Sequence, residues 1–429
     1  MLDIQYIRDN AQKIKEACEN KQLDPKVVDI FLELNEQRRS LLKEVEELRK
    51  QSNANASEIK QAVHDGGKPD PKLVTKGKEI KVQLKAVEPT LSDVLEKWQL
   101  AWYSIPNVPA NDVPVGENEE GNIVIRKEGT LPDFDFEPQA HQEIMENLDL
   151  LDTKRAVKIG GFRSYFLKND GLMLEQALLQ YSLKMLVDEG FTPMSAPILV
   201  NEEAMWGTGY LPWGKEDHYV TQDGDILAGT SEVALTAYLQ GETLTQKDLP
   251  IKMVGISPCF RREVGTYGKD TQGIIRVHQF NKVEMVVYTI ADEVETRSWH
   301  ETMVSMSERL LTDLKLPYQI LLMCTGDMGA GQRKKYDVET WFPSQNTYRE
   351  THSASYFNDF QARRLNIRYQ DSNGELKHIY TLNNTMAATP RLLAAVIENY
   401  QQSDGSIKVP EVLVPYLGKE VIEAKKIAS

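Results

Sequence analysis

Two stretches near the N-terminus carry apolar residues in heptads. Phe31, Leu34, Arg38, Leu41, Val45 and Leu48 follow a 3-4-3-4-3 spacing, with one arginine in the series. Ile80, Leu84, Val87, Leu91, Val94 and Trp98 follow 4-3-4-3-4. Between them lies HDGGKPDP, a cluster of Gly, Pro and Asp that signals a turn. Two apolar seams joined by a polar turn predict an antiparallel coiled-coil hairpin over residues 27–98. With about 38 residues per helix and ~1.5 Å per residue, the rod would be roughly 57 Å long.

The pattern changes after this hairpin. SIPNVPANDVPVGENEEGN (104–122) is rich in Pro, Asn and Gly and reads as a linker. It divides the chain into an N-terminal domain, 1–110, and a second domain, 111–429. From about Phe134 onward the composition is that of a globular α/β domain. Leu172–Glu189 reads as an amphipathic helix and Pro193–Val200 as a strand broken by proline. Ile251–Tyr288 reads as antiparallel strands around a long loop, and Arg391–Tyr400 as a helix. There is no internal repeat and no low-complexity tract.

With 41% hydrophobic and 27% charged residues, the composition is that of an ordinary globular protein. No apolar run approaches the roughly 20 residues that a membrane-spanning helix needs. The N-terminal MLDIQYIRDN has no apolar core of a signal peptide. Cys18, Cys259 and Cys324 are far apart and form no CxxC pair, which argues against a disulfide framework or a cysteine-rich zinc site. A cytoplasmic location is the expectation. The net charge of −14 discourages nucleic-acid binding until its distribution is considered. Arg38 to Lys85 holds twelve basic and seven acidic residues, a net +5, leaving −19 for the rest. The positive charge is concentrated on the hairpin. A dimerisation coil or spacer is the plainer reading of such an element, and the basic excess favours nucleic acid.

Two familiar nucleotide-binding motifs are absent. There is no GxxxxGK[ST] and no GxGxxG after a strand; GTGYLP (207–212) reads as a turn. Other stretches carry candidate chemistry. In PCFRREVGTYGKDTQGIIRVHQF, Arg261 and Glu263 stand two apart on an expected strand and would face the same way, with Arg262 opposite. An arginine able to grip a phosphate beside a carboxylate acceptor suits a nucleotide, and Phe280 across the hairpin offers a ring face for a base. Alone, this pattern would be read as a cross-strand ion pair on a solvated face. Arg391 opens a predicted helix, where the dipole and free amides favour anions. In YRETHSAS, Glu350 and Ser353 are hard oxygen ligands of the kind that hold Mg²⁺ on phosphates. In GTSEVALTAY, Thr230 and Glu232 stand two apart on an expected extended segment. Glu284 lies within the apolar strand VEMVVY, and its burial calls for a cation partner.

Taken together, these stretches resemble a known family. FRRE, a loop and RVHQF are similar to motif 2 of the class II aminoacyl-tRNA synthetases. TPRLLAAVIENYQ is similar to their motif 3, and the long helix before Pro197 to motif 1. The hairpin arm, the TSE triplet and NTYRETHSASYFNDFQARRLNIRY most resemble the seryl-tRNA synthetases, over essentially the whole chain. The resemblance implies an α+β fold, an antiparallel sheet flanked by helices, with ATP and Mg²⁺ bound at its centre. It implies a homodimer, and an arm that reaches the variable arm and elbow of tRNA(Ser) and of tRNA(Sec). As implied catalytic residues it places Arg261, Glu263 and Arg391. ATP would be held by Arg261, Arg262, Glu263, Phe280, Glu350, Thr351, His352, Ser353 and Arg391, with Mg²⁺ near Glu350 and Ser353. L-serine would be held by Thr230, Ser231, Glu232, Arg261, Glu284 and Thr385. The tRNA contacts would come from Arg38, Arg39, Arg49, Lys50, Lys60, Lys72 and Lys76. One departure stands out: NNTMAATPR replaces a glycine-rich run common in bacterial members, which weakens the link between Thr385 and the serine hydroxyl. Two other readings are an enzyme loading an amino acid onto a carrier, and a non-enzymatic paralogue. The long basic arm argues against the first, and the filled positions 261, 263 and 391 against the second.

Overall fold

The structure is a computed structural model that describes residues 1–265 and 273–423; the middle of the loop expected between Phe260 and Phe280 lies outside the described residues. The chain forms two compact units. One holds residues 3–19 and 23–106, the other residues 1–2, 20–22 and the chain from Asn107 onward.

The first unit is dominated by α1 (Lys26–His64) and α2 (Pro71–Tyr103). They pair along the expected seam. Phe31, Val45, Ile80, Leu91 and Val94 are buried, and the remaining seam positions are half-buried, as a two-helix seam must leave them. Asp70 starts α2 by accepting from the Lys72 amide, with Pro71 in the first turn. α2 has 33 residues against 39 for α1, so the paired rod is about 50 Å long at ~1.5 Å per residue rather than 57 Å. The seam arginine has a clear physical role: the Arg38 guanidinium lies 4.4 Å from the centroid of the Trp98 ring. Near the tip, buried Asn55 donates from Nδ2 to the Leu73 carbonyl at 3.0 Å. Gly77 faces it so closely that an added Cβ would lie 2.8 Å from that nitrogen. A buried amide against a glycine fixes the register of the two helices.

The second unit is built on an eight-stranded sheet. Its strands in chain order are β1 (Ile123–Glu128), β2 (Thr192–Ser195), β3 (Ile251–Phe260), β4 (Gln279–Thr289), β5 (Tyr318–Leu322), β6 (Lys334–Phe342), β7 (Thr347–Asn358) and β8 (Tyr380–Ala388). Their spatial order is β1-β5-β6-β7-β8-β4-β3-β2, antiparallel throughout except for β2 beside β3. The helices α3 (His141–Asn147), α4 (Asn169–Asp188), α5 (Glu232–Ala237), α6 (Glu293–Asp313) and α7 (Thr389–Asn399) flank it. This is the antiparallel sheet flanked by helices that the resemblance implied.

The period of two along β4 explains where the core and the cavity lie. Val283, Met285 and Val287 point into the main core with Leu392, Leu393 and Val396 of α7. On the alternate positions, Phe280, Lys282 and Glu284 line a cavity, and Val286 and Tyr288 enter a smaller core. Each large aliphatic side chain buried this way contributes about 1.5–3 kcal/mol relative to exposure. Cys18, Cys259 and Cys324 are all buried thiols with no disulfide.

The break by proline expected in Pro193–Val200 is present: β2 ends at Ser195 and Leu199–Val200 pairs in a different sheet, because Pro197 lacks an N–H and restricts the residue before it. Two expected elements differ from the observed ones. Thr230 to Glu232 is not extended: Ser231 is already helical and Glu232 opens α5. β3 ends at Phe260, so Arg261 and Glu263 do not share a strand face. Glu263 sits at φ +56°, in a turn that leaves the sheet.

Two outcomes follow from packing. Gly77→Ala, which in an open helix interior would stabilise by about 1 kcal/mol, should lower the stability of the arm. In the Asn55→Ala background it should regain stability, giving a coupling in a double-mutant cycle of thermal unfolding. His300 concerns the acid limit. It is buried, its Nε2 donates to the Ala354 carbonyl at 3.0 Å, and it stacks on Tyr336 at 4.8 Å. Burial pushes its pKa down to about 4. Its folded value lies below its unfolded value, so the stability it supports is complete above about 6.5 and is lost as pH falls towards 4. The melting temperature should drop across that window, and His300→Gln should flatten the drop.

Candidate active site

The cavity beside β4 has a volume of about 250 Å³. Its walls come from the residues that follow β3, from β4, β6, β7 and β8, and from the first turn of α7. Charged side chains would be costly here if left unpaired, and most of them are paired. Arg276 Nη1 meets Glu263 Oε2 at 2.6 Å. Lys282 Nζ meets Glu284 Oε2 at 2.5 Å, and Thr385 Oγ1 donates to the same oxygen at 3.1 Å. Arg391 Nη1 donates to both Glu350 Oε2 and the Glu350 carbonyl at 2.9 Å. Lys335 Nζ meets Asp337 at 2.9 Å on β6. The cation expected for Glu284 is thus present, supplied by Lys282 two residues earlier on the same strand face.

Arg261 differs from the other cations on this wall. Among the described residues it makes no ion pair with a carboxylate. Its guanidinium lies 5.4 Å from the Phe280 ring centroid, and Nε donates to the Gly229 carbonyl at 3.4 Å. The turn at Glu263 returns that carboxylate to the cavity that Arg261 lines, so the two residues meet by a bend in the chain.

The remaining carboxylates are tuned by their neighbours. Glu232 is buried and accepts from Tyr210 Oη at 2.7 Å and from Gln361 Nε2 at 3.1 Å. Burial raises its pKa, and the charge of Glu284 raises it further. Burial acts against the charge of Glu350 as well, but Arg391 and Lys335 outweigh it and hold that carboxyl well below the usual range. Burial pushes Asp337 up, with Lys335 opposing and Glu350 adding to the rise. His352 is buried and pushed down to about 4 by desolvation, so its ring is neutral; Nδ1 lies 2.8 Å from Thr351 Oγ1. Between β6 and β7 a bulge pairs Val338 with His352 and Glu339 with Glu350, leaving Thr351 unopposed.

Most of the expected site residues line this one cavity: Arg261, Glu263, Phe280, Glu284, Thr385 and Arg391, with Glu232 and the run Glu350–Ser353. Arg262 does not. It is exposed and donates to the Glu216 carbonyl at 2.9 Å, outside the cavity wall. Thr230 and Ser231 are buried behind the wall, and Thr230 Oγ1 accepts from the Glu232 amide at 3.2 Å. In the arm, Arg38 is held on Trp98, Arg39 pairs with Glu36 and Arg49 with Glu88, while Lys50, Lys60, Lys72 and Lys76 are exposed. Several lining residues had escaped sequence reasoning: Tyr210, Arg276, Lys282 and Lys335. Tyr210 belongs to the glycine-flanked stretch read as a turn. Lys282 and Lys335 alternate with carboxylates two residues later, a spacing that could have marked both.

A magnesium ion on nucleotide phosphates needs few protein ligands, usually one or two carboxylates. The ionised Glu350 carboxylate and the Ser353 hydroxyl, both on this wall, fit such a role. Among the described residues there is no group of three or more His, Cys, Asp or Glu able to cage a metal alone.

Residues 219–400 match the family model of the tRNA synthetase class II core domain (G, H, P, S and T), and residues 1–109 that of the seryl-tRNA synthetase N-terminal domain. The serine–tRNA ligase of Deinococcus radiodurans is 43% identical over 98% of this chain and 99% of its own length. That of Corynebacterium diphtheriae is 42% identical over 99% of this chain and 100% of its own. The crystal structure of seryl-tRNA synthetase from Pyrococcus horikoshii complexed with ATP aligns with a TM-score of 0.89 at 37% identity, over 99% of this chain and 100% of that one. The chain belongs to the seryl-tRNA synthetases, the serine–tRNA ligases among the class II aminoacyl-tRNA synthetases.

Proposed function

We propose that this enzyme activates L-serine with ATP at the β4 cavity and transfers the seryl group to tRNA(Ser), and also to tRNA(Sec). The observation that carries the reading is Arg261, a guanidinium without a carboxylate partner among the described residues, beside the Phe280 ring in the cavity that Glu263 also lines. Adenine stacks on Phe280, its exocyclic amine donates to Glu263, and Arg261 takes the α-phosphate. Arg391 holds the γ-phosphate at the start of α7, where the helix amides add to its charge. Glu350 and Ser353 would hold a magnesium ion, which would supply neutralisation of phosphate charge.

The serine carboxylate attacks the α-phosphorus, the bond to the bridging oxygen breaks, and pyrophosphate leaves. The nucleophile is already ionised, so no protein base is required; alignment and cations on the developing charge supply the catalysis. A hydroxyl of the terminal adenosine of the tRNA then attacks the acyl carbon and AMP leaves. Selectivity follows from buried polar groups. An amino acid without a hydroxyl brings no hydrogen-bonding group to the polar lining formed by Thr385 and Glu284. Glu232, held by Tyr210 and Gln361, receives the ammonium group. We further propose a homodimer acting in the cytoplasm; among the described residues no helix is long and apolar enough to cross a membrane.

Exchange of pyrophosphate into ATP, measured side by side with serine, threonine, alanine, glycine and cysteine, tests the reading: serine alone should support it. Arg261→Ala should lower that exchange by about a hundredfold or more. Near-normal exchange would remove Arg261 from its role. The arm has a separate expectation. Arg49 and Glu88 face each other across the hairpin at 2.9 Å, so residues 50–87 can be replaced by a short glycine turn there, with Arg38 on Trp98 left to hold the remaining register. This shortened protein should keep serine-dependent exchange and lose charging of tRNA(Ser). Intact charging would reduce the arm to a structural element.

A further inference from the structure

Beyond the cavity wall, a buried histidine joins three parts of the second unit. His141 and Glu398 are both buried, and His141 Nδ1 lies 2.7 Å from Glu398 Oε1. The His141 amide donates to the same oxygen at 3.1 Å, and Glu398 Oε2 accepts from the Ser344 amide at 3.1 Å. Glu398 is therefore fully satisfied by neutral donors. On the far side of the ring, Nε2 accepts from the Ile274 amide at 3.2 Å. An amide can only donate, so Nε2 carries no proton and Nδ1 carries the one given to Glu398. The next residue of α3 repeats the contact: Gln142 Oε1 accepts from the Gly273 amide at 2.7 Å, while its Nε2 donates to Glu146. Gly273 sits at φ +70°, and an added Cβ would lie 2.0 Å from His141 Nε2. Only a glycine lets the backbone come this close.

What this anchor holds is the approach to β4. Immediately after Ile274, the Ile275 carbonyl accepts from Arg391 Nε at 3.3 Å, and Arg276 meets Glu263. Glu398 lies on α7, the helix that carries Arg391. The contacts form a closed ring: α7 through Glu398 to His141, to Ile274, to Ile275, and back to Arg391. Ile274 is completely buried, so its amide has no solvent to turn to if His141 is lost.

Resting on the ligase reading above, we propose that His141 and Gln142 are positioning residues for the nucleotide. By accepting two consecutive amides they fix the backbone that presents Ile275 and Arg276 to Arg391 and Glu263. Neither touches the substrates. Their effect falls on ATP and leaves serine aside, because the amino-acid end of the cavity is built from Tyr210, Glu232, Glu284 and Thr385, which they do not contact.

Two isosteric substitutions separate the two faces of the ring. His141→Asn keeps a donor where Nδ1 was and removes the acceptor for Ile274; His141→Gln keeps an acceptor where Nε2 was. ATP binding to the full chain is measured by calorimetry with ATP and magnesium chloride, beside KM for ATP and for serine in pyrophosphate exchange. His141→Asn and Gln142→Ala should each weaken ATP by about tenfold, the loss of one buried hydrogen bond, with KM for serine unchanged. His141→Gln should bind ATP more tightly than His141→Asn. Unchanged ATP binding in both loss variants overturns the proposal. So do equal losses in Asn and Gln variants with ATP and serine moving together, the signature of a packing role alone. If His141→Asn does not fold, Gln142→Ala decides. A wild-type chain that binds ATP but shows no serine-dependent exchange would instead overturn the ligase reading, and calorimetry would still decide the anchor.

Discussion

Three carboxylates of the cavity wall are each met by a cation, and the wall is arranged around those pairs. Glu263, Glu284 and Glu350 each have an arginine or lysine within 2.9 Å. Breaking a buried pair by removing one member costs several kcal/mol, whereas keeping both leaves the local charge near balance. The wall is thus preset. These three carboxylates are already neutralised, and Arg261 makes no ion pair with a carboxylate among the described residues. The same pairing constrains the fold. Lys282 and Glu284 can share a face only on an unbroken strand, and Arg391 reaches Glu350 only if α7 begins directly where β8 ends.

The arm obeys a different rule. Its seam is too narrow to bury every apolar residue, so specificity comes from a few exceptions to the pattern: Arg38 on Trp98, and Asn55 against Gly77. These contacts forbid sliding of one helix along the other. They also divide the basic residues into two kinds. Those used within the hairpin, Arg38, Arg39 and Arg49, already have protein partners, while the lysines at 50, 60, 72 and 76 are presented to solvent.

Much of this was legible in the chain itself. The heptads located the hairpin because burial in a coiled coil depends on spacing alone. Glu284 called for a cation because an ionised carboxylate left unpaired in an apolar strand is costly. What was hidden depended on tertiary context. Arg261 and Glu263 looked like strand neighbours, but a positive φ at Glu263, which no propensity favours for glutamate, turns the chain and still brings both to one cavity. Thr230 to Glu232 alternate like a strand yet open a helix, since three residues cannot distinguish the two. Tyr210 was invisible because a tyrosine after a glycine turn says nothing about the glutamate it will reach. The His141–Glu398 contact spans more than half the chain, and no local pattern links the two.

The buried thiols have a practical consequence for chemistry on the intact molecule. Cys259 has its thiol pKa raised by burial, and Cys18 and Cys324 are equally enclosed. The thiolate is the reactive species and needs access to reagent, so all three should stay silent towards maleimides while the chain is folded. A single cysteine installed at exposed Lys60 would then be the preferred site for a fluorophore or spin label. The arm could be watched without first stripping the native cysteines from the protein, and slow labelling of the native three would serve as a clock for unfolding.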